Sequence, residues 1–549
     1  MKITLQNTNL SEDSFSLLKQ TISKKLSLRG VGLSDSAGDL IWRVELDSSM
    51  EADSYSVWAV GNVICFRANN LCTVFAAVGR ALVKGKFDGK GGYELPELPL
   101  HHKMKDSLRG MYFASHFYNF YHASPIEEVY DIIAEQALNG CNTLMLCFGV
   151  QHYTSVHTPE AQEMIARMKL MLKYADRCGI APALILFSNT GFDKSPAELE
   201  AQSKIDESGR YYRGLIAVFN TELCPNKKGG MEEIERQQRE FFEAFSDTPI
   251  KYFALWPYDE GGCLCEKCYP WATNGFMKVA DLSRRLVKEY GYDAQIIIST
   301  WHFEFNMKNE WDVFYEELKK GTYNWSPYIM TSFRNGKIPK CFADGGIPEG
   351  VHLIDFPEIS MCDAKPWGGF GSNPITMFLD NAYQNCGKWH EGGFPYSEGI
   401  FEDINKWVCL GFYTGHYEHS ADAVRDYIRY EFGLEDTDEM LRAIQLMESC
   451  LVRGHEKLPN GDWRFAIRWG TAIPEIYRIV TAQNELLPES LKHNWKWRIV
   501  YLRAVLDWEL YQNGYITKYS ARAQEAYHEL HSIFHTQKAL FEVCPPEGK

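Results

Sequence analysis

Apolar and polar positions along this chain change their period twice, and the changes divide it into three parts. Residues 1–100 mix both periods. "SFSLLKQTISKKL" repeats its apolar positions at helical spacing, whereas "LIWRVELD", "YSVWAVG" and "VICFRA" read as strands. The last two turn at Gly61-Asn62, and "NNLCTVFAAVGRALVKG" comes next as a helix capped by Asn70 and ended by Gly85. These elements predict a small α+β domain over 1–100. The Gly- and Pro-rich "FDGKGGYELPELPLHHK" links it to the second part of the chain.

From "LRGMYFAS" onward, short apolar runs alternate with amphipathic stretches. The runs at 110–115, 143–149, 181–188, 251–260, 294–303, 328–333, 351–360 and 392–399 predict eight strands. Ser124 as N-cap, Pro125 at the first helical position and Glu127 in a capping box predict where the first helix starts; Thr158-Pro159 opens the second. This alternation over 105–417 predicts an α/β fold of the (β/α)8 TIM-barrel type. An open doubly wound sheet is the alternative, but "ASHFYNFYHAS" stands where its Gly-rich phosphate loop would be. Beyond residue 417 the strand signal ends. "ADAVRDYIRYEFG", "DEMLRAIQLMESCLVRG" and three later segments read as helices, which predicts a helical C-terminal domain over 418–549.

Composition changes this picture in three places. Aromatic residues make up 14% of the chain; they fill cores, and they also form the platforms on which sugars stack. A formal net charge of -15 repels a phosphate backbone, so no nucleic-acid partner is expected. No apolar run reaches the roughly 18 residues of a membrane span, so no membrane partner is expected either. "MKITLQNTNLSEDSF" lacks the apolar region of a secretory signal, and the 15 cysteines then read as reduced thiols of a cytoplasmic protein. A homo-oligomer is compatible with the sequence.

In a barrel of this type the chemistry sits at the C-terminal strand ends. Here those positions carry His116, Tyr118 and Tyr121, then Gln151, His152 and Tyr153, then Ser188 and Asn189, Trp256 with Tyr258, Asp259 and Glu260, Trp301 with His302 and Glu304, Asp355 and Glu358, and Tyr396 with Glu398, Glu402 and Asp403. Carboxylates, aromatics and neutral polar groups with few cations suit a neutral polyhydroxylated ligand better than a phosphorylated one. The expected partner is a small carbohydrate. Glycoside cleavage needs a carboxylic acid to protonate the leaving oxygen and a second group to stabilise or attack the developing cation. Glu260 is the candidate acid. Asp259 beside it can also reach the pocket if the strand ends at Gly261-Gly262, since neighbours on a regular strand face opposite ways. An exposed acidic pair in a loop is the plainer alternative. The motif C-x-C-x-x-C comes immediately after. Cys263, Cys265 and Cys268, with Cys224 from the preceding loop, can hold one structural zinc ion or remain unmetallated thiols. Catalysis by carboxylates calls for no cofactor.

The "LRGMYF" entry into the barrel, "LCP" before the fourth strand, "DEGGCLCEKC" after it and "YIRYEFG" in the helices beyond resemble glycoside hydrolases of families 20, 67 and 163. The resemblance runs from about residue 30 to 435 and is greatest to the domain group associated with the family 163 endo-β-N-acetylglucosaminidases. It implies a glycosidase acting on an oligosaccharide or glycoside that contains an N-acetylhexosamine. In family 20 an Asp-Glu pair ends the fourth strand, and those roles would fall on Asp259, orienting a 2-acetamido nucleophile, and Glu260, the acid/base. "WPY" stands where family 20 has a His-x-Gly-Gly lead-in. A retaining mechanism with Glu358 as nucleophile on a non-acetamido sugar therefore stays open, with Glu398 as a base or hydroxyl-binding group. So does a barrel that binds sugar without cleaving it.

Overall fold

The eight parallel strands that organise the molecule are Leu108–Phe113, Thr143–Cys147, Ala181–Phe187, Tyr252–Trp256, Gln295–Ser299, Tyr328–Thr331, His352–Asp355 and a broken eighth, Gly392–Gly393 with Tyr396–Ser397. The structure is a computed structural model. It describes the chain except residues 37, 118, 203, 206–210, 213–221, 258–261, 302, 304–308, 334–335, 361–370, 452, 461–462, 468–469, 515–519 and 537–549. Each barrel strand pairs with the next, and the eighth returns to the first through Gly392↔Leu108 and Tyr396↔Tyr112, which closes the barrel. The break in the eighth strand falls at Pro395, which has no N–H to give a neighbour; its carbonyl still accepts from Tyr112 N at 3.1 Å. Inside, Leu108, Met145, Ala183, Ile185, Ala254, Ile297, Met330, Ile354 and Phe394 form one apolar cluster. Gly110 makes room for it: a Cβ there would lie 2.4 Å from the Phe394 ring.

Helices Ile126–Leu138, Pro159–Arg177, Gly230–Ala244, Met277–Glu289, Glu310–Lys319, Lys340–Gly345, Thr376–Cys386 and Asp403–Thr414 come after the strands in turn. Thr158 caps its helix as the sequence predicts, its side chain accepting from Ala161 N at 3.3 Å. Ser124 does not. The helix begins at Ile126 with Pro125 as its N-cap, and the Ser124 hydroxyl donates instead to the Phe120 carbonyl at 2.7 Å, ending a short helix over Phe120–Ala123. That preceding turn competes for the hydroxyl, and the sequence signal for it is weak.

Before the barrel, a six-stranded sheet runs in the order Gly32–Leu33, Lys2–Asn7, Leu40–Leu46, Val63–Ala68, Ser54–Val60, Leu100–Lys103. Trp42, Val44, Ile64 and Phe66 alternate into its core beneath helices Glu12–Ser27 and Leu71–Lys84. The second of these helices lies so close to the first barrel helix that a Cβ on Gly79 would stand 2.0 Å from the Leu138 carbonyl oxygen.

After the barrel come helices Ser420–Tyr427, Asp438–Ser449, Ile473–Asn484, Trp495–Gln512 and Ala521–Phe534. One feature departs from the helical pattern. The helix expected to run through Val452 to Gly454 stops at Ser449, and Arg453–Lys457 pairs with Trp463–Ile467 as an antiparallel hairpin. Pro459-Asn460-Gly461 is the turn signal between them. All three parts meet at a buried ionic cluster. Lys25 reaches Glu135 at 2.8 Å and Glu431 at 3.2 Å; Lys496 reaches Asp403 at 2.7 Å and Glu431 at 3.5 Å and also contacts Glu135; Arg29 lies 3.6 Å from Glu431.

Candidate active site

Side chains of one parity continue each barrel strand into the C-terminal mouth. There Tyr112, Trp256, Trp301, Phe356 and Tyr396 build an aromatic floor. Ring centroids are 5.4 Å apart for Tyr112–Tyr396, 5.8 Å for Tyr112–Phe356, 4.8 Å for Trp256–Phe356, 5.5 Å for Trp301–Phe356 and 5.9 Å for Trp256–Trp301. Phe117 joins at the edge, 6.4 Å from Tyr396. The sequence points to Trp256, Trp301 and Tyr396. It does not single out Tyr112, Phe117 or Phe356. For Tyr112 and Phe356 a signal exists: they stand on the same parity as Leu108 in "LRGMYF" and Ile354 in "LIDFPE".

Two carboxylates stand at adjacent strand ends beside this floor, Glu398 bonded to one of its rings and Glu358 in register with it. Glu358 is half-buried and forms a parallel bridge with Tyr396, so it extends the seventh strand after Pro357. Glu398, 2% exposed, accepts from the Tyr396 hydroxyl at 2.5 Å. Ser360 ties the two ends together, its hydroxyl donating to the Tyr396 carbonyl at 3.1 Å and accepting from Glu398 N at 3.0 Å. Glu402 completes the turn: one of its oxygens accepts from Ser397 Oγ at 2.7 Å, Glu398 N at 2.8 Å and Gly399 N at 2.7 Å. Glu402 therefore holds Glu398 in place, and Asp403 belongs to the ionic cluster, where it bonds Tyr427 Oη at 2.7 Å. Asp355 has the opposite parity to Phe356 and turns away from the mouth. Its carboxylate accepts from Phe333 N and Phe356 N, and burial pushes its pKa up to about 7.

On the first two strand ends, His116 is buried with Nδ1 3.1 Å from the Tyr112 hydroxyl. Burial pushes its pKa down to about 3, with His152 close by. His152 is half-buried and shifted the same way by burial, partly offset by a hydrogen bond to the His116 backbone. Two neutral imidazoles suit hydroxyl groups better than anions. Gln151 precedes His152 in the 3-10 turn Val150–His152, and its residue type alone assigns it no role. It is 3% exposed, and among the described residues neither its amide nitrogen nor its amide oxygen has a hydrogen-bond partner. A buried amide left so costs about 1–3 kcal/mol per group, a cost that a polar ligand would remove.

Asp259 and Glu260, the candidate orienting group and acid, lie outside the described residues, as do Tyr118, Tyr258, His302 and Glu304. The strand before Asp259 and Glu260 ends at Trp256, one of the rings of the floor. The four cysteines do come together: one sulfur from each of Cys224, Cys263, Cys265 and Cys268 lies within 4.8 Å of all the others.

Neither a family model nor a curated protein matches the chain. Solved structures do. The chain is similar to a GH138 enzyme targeting pectin rhamnogalacturonan II, with 8% identity and a TM-score of 0.57 over 98% of this chain and 93% of that one. It is similar to a GH20 exo-β-N-acetylglucosaminidase from Vibrio harveyi, with 11% identity and a TM-score of 0.53 over 81% and 74%. It is also similar to a GH89 enzyme from Clostridium perfringens held with GlcNAc-α-1,4-galactose, with 13% identity and a TM-score of 0.57 over 95% of this chain and 65% of that one. At these identities the likeness is one of fold: a TIM barrel with flanking elements, shared with several glycoside hydrolase families.

Proposed function

We propose that this chain is a glycoside hydrolase that cleaves a small oligosaccharide or glycoside containing an N-acetylhexosamine. The observation that carries this is the barrel mouth itself, an aromatic floor with Glu358 and Glu398 at adjoining strand ends, neutral imidazoles nearby and a buried amide, Gln151, without a hydrogen-bond partner among the described residues. A sugar ring offers an apolar face to aromatic rings and hydroxyls to such groups. The fold is one that carries glycosidases of several families, including enzymes whose names specify N-acetylglucosaminides. Glu260 protonates the leaving oxygen and Asp259 orients the 2-acetamido group that attacks the anomeric carbon. Gln151 and the two histidines bind hydroxyls.

A second mechanism is favoured by one feature, the inward register of Glu358 at the seventh strand end. There Glu358 is the nucleophile of a retaining enzyme and Glu260 the acid/base. Chromogenic N-acetylglucosaminides, glucosides and glucuronides of both anomers distinguish the readings. Assisted catalysis predicts cleavage confined to 2-acetamido sugars and lost in Asp259→Asn. The Glu358 mechanism predicts cleavage of the others, loss in Glu358→Ala and recovery with azide as an external nucleophile. A protein that cleaves none of the panel, yet binds one of the sugars, is a binding barrel. The working compartment proposed is the cytoplasm, with imported small glycosides as substrates.

A further inference from the structure

The cysteine cluster has a geometry that four idle thiols would not need. Cys224 sits in the loop before helix Gly230–Ala244, and Cys263, Cys265 and Cys268 sit in the loop after the fourth barrel strand. Cys224 Sγ is 3.7 Å from Cys268 Sγ and 3.9 Å from Cys265 Sγ. A tetrahedron with metal–sulfur bonds of about 2.3 Å has sulfur–sulfur edges of about 3.8 Å. A disulfide would need sulfurs about 2.05 Å apart. Three of the four cysteines are fully buried.

The surroundings are arranged for charged sulfur. Gln202 N donates to Cys263 Sγ at 3.3 Å, and Asn226 Nδ2 to Cys268 Sγ at 3.1 Å. The Asn226 amide also donates to the Lys267 carbonyl at 3.1 Å, which holds it against the cysteine loop. Two tight turns shape the chain around the sulfurs. Lys227 N returns to the Cys224 carbonyl at 3.3 Å, and Cys268 N to the Cys265 carbonyl at 2.9 Å. Neutral thiols accept hydrogen bonds weakly. Buried thiolates accept them well but cannot stay together without a cation. Gly230 marks how closely the first turn is packed, since a Cβ there would lie 2.0 Å from the Cys224 carbonyl oxygen.

We propose that Cys224, Cys263, Cys265 and Cys268 bind one Zn2+ in a closed tetrahedral site, which pins the loop after the third barrel strand to the loop after the fourth. Four sulfur ligands leave no open position, so the ion stabilises the loops and takes no part in bond cleavage. Binding releases the thiol protons to solvent, and the N–H donors offset the excess negative charge of the tetrathiolate. A backbone hydrogen bond reinforces the same clasp: Leu264 N donates to the Gln202 carbonyl at 3.0 Å.

The test is the metal content of the purified full-length protein, measured by mass spectrometry against protein concentration. We expect about one zinc per chain. Cobalt reconstitution of the stripped protein should give the strong visible bands of tetrahedral Co2+ and thiolate charge-transfer absorption. Cys268→Ser should lose the metal; Cys265→Ser, at the half-exposed ligand, should keep the fold by circular dichroism while binding zinc at least tenfold more weakly. Four thiols should become reactive only after chelation. Protein that is metal-free, takes up no added zinc and has equally reactive thiols with and without chelator would overturn the proposal, as would a full complement of iron in place of zinc.

Discussion

At the scale of single residues, the mouth sets a firmly held carboxylate beside a buried amide that has no partner among the described residues. Glu398 has Tyr396, Ser360 and Glu402 around it, each fixing its backbone or its carboxylate. Gln151 is nearly fully buried, and neither of its amide atoms has a hydrogen-bond partner among the described residues. A residue kept at a cost to stability is expected to repay it in binding. Gln151→Leu, of similar volume and without the polar atoms, should therefore leave the melting temperature unchanged or raise it, while kcat/KM falls by about tenfold or more. A lower melting temperature with unchanged kcat/KM would assign Gln151 to packing. Glu358, Glu398 and half of the mouth aromatics were legible in the sequence because their types stand out at strand ends. Gln151 could not be ranked there, since what marks that residue is a missing partner.

At the scale of elements, all eight barrel strands follow the apolar runs, because each run is bounded by turns and leads into an amphipathic helix. Parity along those strands explains the division of labour at positions 355 and 356, where Phe356 joins the floor and Asp355 faces out, while Glu358 keeps the register of Tyr396. Choices made between neighbouring segments stayed hidden. Ser124 could cap one helix or close another, and the hairpin over Arg453–Lys457 and Trp463–Ile467 interrupts a segment whose apolar spacing reads as helical. Gly79 shows the same limit. In sequence it is a weak residue within a helix; in the structure it is the point where the N-terminal domain meets the Leu138 carbonyl. Alanine there improves helix propensity by about 1 kcal/mol. It also forces two backbones apart, and overpacking of this kind costs about 1–3 kcal/mol or more. Because the obstacle is a carbonyl and not a flexible side chain, Gly79→Ala should be a net destabilisation of about 2 kcal/mol in urea unfolding. A more stable variant would mean that the two helices separate freely.

At the scale of the whole molecule, the ionic cluster joins the N-terminal domain, the barrel and the C-terminal helices. Among the described residues three cations, Lys25, Arg29 and Lys496, face three carboxylates, Glu135, Asp403 and Glu431. Burial alone would raise the Glu431 pKa, but Lys25, Lys496 and Arg29 together hold it well below the ordinary range. A carboxylate with a depressed folded-state pKa contributes stability at pH values above its unfolded pKa, about 4.3, and loses it as pH falls through the depressed value. Glu431→Gln removes that contribution and leaves three buried cations with two carboxylates. The expected loss is about 3–5 kcal/mol at pH 7, narrowing toward acid pH, read by calorimetry across pH. An equal loss at every pH would place the effect in packing alone. Nothing in a linear sequence connects Lys25, Glu135, Asp403, Glu431 and Lys496, so this cluster was legible only in three dimensions.

Glu260 is proposed to protonate a glycosidic leaving group. The most direct test of this compares wild type and Glu260→Gln on two N-acetylglucosaminides, one with a 4-nitrophenol leaving group and one with an unactivated sugar. A general acid matters most where the leaving group is poor. Wild type should cleave both. The variant should lose about 10²–10⁴-fold in kcat/KM on the unactivated substrate and much less on the 4-nitrophenyl one. Equal losses on both substrates, full activity in the variant, or a wild type that cleaves neither would contradict the claim.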